Sequence, residues 1–177
     1  MWELLLLRHG KSDWPNGIED IDRPLRSRGR KDSVRIGNWL VNNNLQPELI
    51  YSSPARRAVA TADRVKKIIR SEPTSCKIEP IFYYGSHNDY LDEIRSFPSA
   101  STRVMVVAHN PALEIIVSEL SGGPQSFFNE KLHMLTCSLA IFRFEKTWKD
   151  INPGAGKLLH LIHPKTLPRT LGHTDRI

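Results

Sequence analysis

Residues 2–10, WELLLLRHG, set an apolar run against an abrupt polar end. Four successive leucines fall far short of the about 20 apolar residues that a bilayer crossing needs. They also lack the basic leader and small-residue cleavage site of a secretory signal. The run therefore predicts a buried strand that presents a cation, an imidazole and a flexible residue at its carboxyl end.

Outward from this strand, helical and extended patterns alternate along the 177 residues. Ile36, Trp39 and Leu40 share one face of a helix expected over residues 28–43. ELIY (48–51) reads as a short strand, and Ser53-Pro54 as the start of a helix carrying Ala58, Ala62, Val65 and Ile69 on its apolar face. KIEPIFYY (77–84) reads as a strand that Pro80 makes an edge or irregular one. A shorter helix is expected over 89–97, a strongly apolar strand over RVMVVA (103–108), and a helix over PALEIIVSEL from Pro111. Strands are expected over 135–144 and 157–162. The alternation predicts the α/β class: three αβα layers, a mostly parallel central sheet and helices on both faces. One domain is expected over residues 1–167, followed by a polar tail over 168–177.

Composition narrows the function classes. A hydrophobic fraction of 40% with 25% charged residues suits a globular domain, and a formal charge of +6 favours an anionic partner. Cys76 and Cys137 are the only cysteines. Neither has metal-ligand spacing around it, so no disulfide framework or zinc site is expected, and a reducing, cytoplasmic setting is. The basic residues are scattered and not striped with aromatics, which argues against a nucleic-acid surface.

Three polar clusters take equivalent places in this pattern: Arg8-His9-Gly10 after the first strand, SSPARRA (52–58) after the second, and AHNP (108–111) after the VMVV strand. Ligands of open α/β sheets bind beyond the carboxyl ends of the strands. His9, the Arg56/Arg57 pair and His109 are therefore expected in one pocket. Two imidazoles and several guanidiniums at a helix start describe a phosphoryl site. Neighbouring arginines should lower the His9 pKa and keep the ring neutral and nucleophilic. With cations to spread the transition-state charge, neither a metal nor another cofactor is expected.

LLLRHGKS, SSPARRAVATA and AHNP, in this order, resemble the histidine phosphatase superfamily, with its phosphoglycerate mutase-like fold. RHGKSDW, DRPLRSRGRKD and TWKDINPGAGKLLHLIHPKTL extend the likeness to SixA-type phosphohistidine phosphatases over residues 2–167. The resemblance implies that His9 is the nucleophile and is transiently phosphorylated. It implies that Arg8 and Arg57 clamp the phosphoryl oxygens, that His109 donates to them, and that Arg23 of DRPL adds a third cation. Arg57 is preferred to Arg56 because Arg57-Ala58 and Thr61 match the family pattern R-A-x-x-T; Arg56 would face solvent or substrate. Larger members supply a carboxylic acid for the leaving oxygen from a segment that here reads FYYGSHNDYLDEIRSF (82–97), without a match. Asp20 and Asp22 are candidate substitutes. SixA-type members resemble this chain in lacking that acid, which suits a phosphohistidine whose protonated imidazole departs readily. The expected partner is a phosphorylated protein or a small phosphorylated molecule. The alternatives are a phosphatase of small phosphate monoesters, and a non-catalytic phosphate- or nucleic-acid-binding module.

Overall fold

The leucine run forms the middle of a six-stranded sheet. The computed structural model describes residues 1–70, 75–122 and 133–168. Strand β1 (Trp2–Arg8) lies between a parallel neighbour, β4 (Arg103–Ala108), and an antiparallel one, β5 (Leu139–Phe144). With β2 (Leu49–Ser52), β3 (Ser75–Ile78) and β6 (Lys157–Ile162) the order is β3-β2-β4-β1-β5-β6. β1 to β4 run parallel, and β5 and β6 form an antiparallel flank.

An unbroken leucine run is what a strand covered on both faces requires, because successive side chains point to opposite sides. Leu4 and Leu6 join one core with Val104 and Val106, while Leu5 and Leu7 join the other with Met105 and Val107. All four leucines are fully buried, each contributing about 2 kcal/mol by transfer of its side chain from water. The Leu5/Leu7 face is covered by α1 (Ser27–Asn42) through Ile36 and Leu40, and by α2 (Arg56–Ile69) through Ala58, Ala62 and Val65. The Leu4/Leu6 face is covered by the helical turn α3 (Ile81–Tyr84), by α4 (His87–Arg95) and by α5 (Ala112–Leu120). This is the expected three-layer α/β architecture.

Three local expectations are corrected. α2 begins at Arg56, not at Pro54: Ser53 Oγ instead accepts from the Ala55 N–H at 3.2 Å, and Ser53 stays at the strand end. KIEPIFYY is not one strand. β3 stops at Ile78, and Pro80, lacking an N–H but preset for helical φ, opens α3. The strand expected from Leu135 begins only at Leu139, after a turn in which Cys137 takes a φ of 63°. The polar tail proposed for 168–177 lies, beyond Pro168, outside the described residues.

The sheet order places the carboxyl ends of β2, β4 and β1 side by side. Arg8 pairs with Ala108 and Ser52 with Val107. The next residues continue this register: His9 N donates to Ala108 O at 3.1 Å and Ser53 N to Val107 O at 3.0 Å. Beyond His9 the chain crosses the first turn of α1 at backbone contact. A Cβ on Gly29 would lie 2.3 Å from Lys11 O, and one on Gly10 would lie 2.9 Å from Gly29 O. Both glycines are therefore needed for the loop to leave the sheet at this angle. Among the described residues no helix is long and apolar enough to cross a membrane.

Candidate active site

The three strand ends meet as the sequence pattern predicts. The His9 and His109 rings face each other with centroids 4.9 Å apart, and Arg57 reaches both. Its Nε donates towards His9 Nε2 at 3.4 Å and its Nη2 towards His109 Nδ1 at 3.4 Å. α2 fixes this guanidinium by burying its first turn. Thr61, one turn on, donates its hydroxyl to Arg57 O at 2.7 Å and accepts from Gly10 N at 3.0 Å. The R-A-x-x-T pattern thus ties the Gly10 loop to Arg57.

Hydrogen bonding fixes the tautomer of each ring. Gly10 O can only accept, so His9 Nδ1, 2.8 Å away, carries the proton, and Nε2 keeps its lone pair inside the pocket. At His109 an arginine N–H can only donate, so Nδ1 is the acceptor and Nε2–H donates to Ser53 Oγ at 2.7 Å. Burial, with His109, Arg57 and Arg8 adding to it against the Gly10 hydrogen bond, brings the His9 pKa down to about 3. Burial and then Arg57 bring that of His109 down to about 4, with Asp20 opposing. The arginines do lower the His9 pKa as expected, but removal from water is the larger cause.

This predicts a pH-dependent stability. Both rings are neutral in the fold, while an unfolded histidine protonates near 6.5. Between about pH 6.5 and pH 4 the unfolded chain therefore binds more protons, and stability falls as pH falls. Each ring contributes a slope of up to about 1.4 kcal/mol per pH unit across this window, and nothing further once the folded rings also protonate. Urea midpoints measured from pH 7.5 to 4.5 should drop steadily, and the drop should be shallower for His9→Ala. Equal slopes for the two proteins would contradict a buried neutral His9.

Arg8 is half-buried and donates through Nη1 to Met134 O at 2.7 Å; among the described residues its buried Nε has no partner. Asn110 Nδ2 donates to the same carbonyl at 3.0 Å, and Glu114 Oε1 accepts from Met134 N at 2.9 Å. The strand-end arginine is thus held from the α5 side. Arg56, as expected, points to solvent.

Arg23 joins the site through Asp20. Its Nη1 donates to Asp20 Oδ1 at 2.8 Å, its Nη2 to Ser12 Oγ at 2.9 Å, and its guanidinium lies 4.0 Å from the centre of the exposed Trp14 ring. On its other oxygen, Asp20 accepts from Arg57 Nη2 at 2.8 Å and from the Tyr83 hydroxyl at 2.9 Å, while Arg57 Nη1 donates to its backbone carbonyl. Burial would raise the Asp20 pKa, but hydrogen bonds from Arg23, Arg57 and Tyr83 outweigh it and hold the carboxyl well below the usual carboxylate range. Asp20 is therefore an anion and does not fit the proposed role of proton donor. Asp22 is exposed on the same short turn, Asp20–Asp22.

Tyr83 and Ser53 were not among the expected site residues. Tyr83 packs edge-on against His109, centroids 5.4 Å apart, and reaches Asp20 because α3 starts at Pro80. The signal for Ser53 was its position directly after a strand end, equivalent to that of His9 and His109. Of the remaining described histidines, His163 Nδ1 pairs with Ser138 Oγ at 2.7 Å, His160 packs edge-on against Trp39, and His87 and His133 lie 3.5 Å from Glu119 and Glu114. His173 lies outside the described residues. Among the described residues no group of three or more His, Cys, Asp or Glu is placed to hold a metal ion.

The family model of the histidine phosphatase superfamily (branch 1) matches residues 4–78. An uncharacterized protein of Mycobacterium tuberculosis is 28% identical over 165 residues, spanning 90% of this chain and 100% of the relative. The crystal structure of the putative phosphohistidine phosphatase SixA from Agrobacterium tumefaciens superposes with a TM-score of 0.79 at 23% identity, covering 92% of this chain and 98% of that one. The protein histidine phosphatase SixA complexed with tungstate superposes with a TM-score of 0.76 at 21% identity, covering 92% and 97%. These structural likenesses establish the fold.

Proposed function

From a chain whose residues 4–78 match the histidine phosphatase superfamily and whose fold is that of solved SixA-type structures, we propose a phosphatase that works through a phosphorylated His9 and acts on phosphohistidine, carried on a protein. The observation that carries this reading is the His9 Nε2 lone pair, held neutral by burial and set among Arg57, Arg8 and His109. Such an imidazole attacks phosphorus without first losing a proton. Arg8 and Arg57 bind the phosphoryl oxygens, and Arg23 adds charge through the Asp20 turn. A dianion placed between the two rings favours the imidazolium form of His109, which turns Nδ1 from acceptor to donor towards the phosphoryl oxygens. Phosphohistidine is favoured over an ester because the carboxyl group in this site, Asp20, is a carboxylate, and a phosphoramidate with a protonated ring departs without a donated proton. A cytoplasmic setting fits the free Cys76 and Cys137.

The test is an acid quench. Protein carrying labelled phosphohistidine is mixed with the chain at neutral pH without added metal, beside a panel of phosphate esters. Release of phosphate with acid-labile, base-stable label trapped on the chain is the expected result. A clear preference for one ester would move the assignment to small-molecule substrates. Binding without any release would leave only a phosphate-binding module.

A further inference from the structure

Asp20 takes no part in the steps just described, yet it is a carboxylate bonded to two of the site's cations, Arg23 and Arg57. Its side chain is 40% exposed, so an incoming substrate reaches it. A carboxylate offers about four acceptor positions, and three are taken here: Arg23 on Oδ1, and Arg57 and Tyr83 on Oδ2. Among the described residues one position on Oδ1 remains. Its place along the clamp matters as well. Arg57 directs Nε at the nucleophile and its Nη end at Asp20. In-line attack by His9 puts the leaving group on the far side of phosphorus from His9, and Asp20 sits at the Nη end of the guanidinium, where Nη2 also meets His109.

We propose that Asp20 selects the phosphoramidate: it accepts a hydrogen bond from the distal N–H of the departing imidazole and holds that ring in its protonated form. This rests on the phosphohistidine reading above. In the step, His9 Nε2 forms the new N–P bond as the substrate N–P bond breaks, and the bonding pair stays on the departing nitrogen. The departing ring already carries a proton on its other nitrogen, so it leaves as neutral imidazole and no proton is delivered. The phosphorylated His9 keeps its own Nδ1–H on Gly10 O. Water then attacks phosphorus, the pair of the His9–P bond returns to Nε2, and the protons of the water stay with phosphate and solvent. An alkyl ester fares differently. Its leaving oxygen builds negative charge, which Asp20 cannot protonate and its own charge repels. One residue thus favours one substrate class and penalises the other, a selectivity built partly on repulsion.

The experiment compares wild type, Asp20→Asn and Asp20→Glu on three substrates. These are a phosphohistidine peptide, phosphoserine, and p-nitrophenyl phosphate, whose leaving group departs unprotonated. Asp20→Asn should lose about 10- to 100-fold in kcat/KM on the phosphohistidine peptide, the range of a charge-assisted hydrogen bond. Its rates on p-nitrophenyl phosphate and phosphoserine should fall by less than the phosphohistidine rate, so that the preference shifts towards the esters. Asp20→Glu, which keeps the charge, should retain the wild-type preference. A parallel fall on all three substrates would reduce Asp20 to a support for Arg57 and overturn the proposal, as would an unchanged phosphohistidine rate. Wild type that turns over esters and no phosphohistidine would sink the parent reading and this one with it. That outcome is read before any variant is made.

Discussion

Truncating His9 to alanine is expected to bring phosphate release to the solution background, a loss of about 10⁵-fold or more, as for other enzymes stripped of their nucleophile. The size follows from the site's geometry. Nε2 of His9 has its lone pair free of a proton because Nδ1–H is committed to Gly10 O. His109, the other imidazole, commits Nε2–H to Ser53 Oγ, and its Nδ1, facing Arg57, is the atom proposed to donate to the phosphoryl oxygens, so its role differs from that of His9. The fold should survive the change, because His9 lies at the strand end and the backbone hydrogen bonds from His9 N to Ala108 O and from Cys137 N to His9 O are kept. Single-turnover release from a phosphohistidine protein, with circular dichroism as the folding control, measures the effect. Retention of more than about one per cent of the rate would mean that another group attacks phosphorus.

The parts of this site that were legible in the sequence are those fixed by backbone register. Arg8, Ser52 and Ala108 end three strands whose apolar patterns are unmistakable, and parallel pairing aligns whatever residue follows each. His9 and His109 then converge, and Ser53, at the equivalent position after β2, joins them although its hydroxyl was not expected in the site. The resemblance to a known family added the choice of Arg57 over Arg56, and its physical ground is visible in the Arg57–Thr61–Gly10 chain of hydrogen bonds. Groups held by irregular backbone were not legible. Tyr83 enters the pocket only because Pro80 starts a helical turn where an edge strand was expected. Met134 contributes a carbonyl, which no side-chain pattern reports. Asp20 was visible as a residue but not as a charge state: whether a carboxyl is acid or anion depends on how many donors surround it, and here there are three side-chain donors from three separate segments.

Arg57 is the position at which these separate contacts come together, and Arg57→Ala is expected to lower kcat/KM by about 10⁴-fold, within the range for removal of an arginine that stabilises phosphoryl transfer. The guanidinium serves three directions at once: His9 through Nε, Asp20 through both Nη atoms, and His109 through Nη2. A single ammonium cannot reproduce that fork. Arg57→Lys should therefore recover part of the phosphate affinity, which needs only charge, while leaving kcat lowered by about 100-fold or more, since orientation is lost. Stability should change far less, by about 1–2 kcal/mol, because Asp20 is partly exposed and keeps Arg23 and Tyr83 as donors. Arg56→Ala, one residue away but facing solvent, is the internal control and should stay within about threefold of wild type. Kinetics on all three variants, with urea midpoints alongside, separate these outcomes. Equal losses at Arg56 and Arg57, or full activity in Arg57→Lys, would mean that charge alone carries the effect and that the fork drawn by these hydrogen bonds does not operate in turnover.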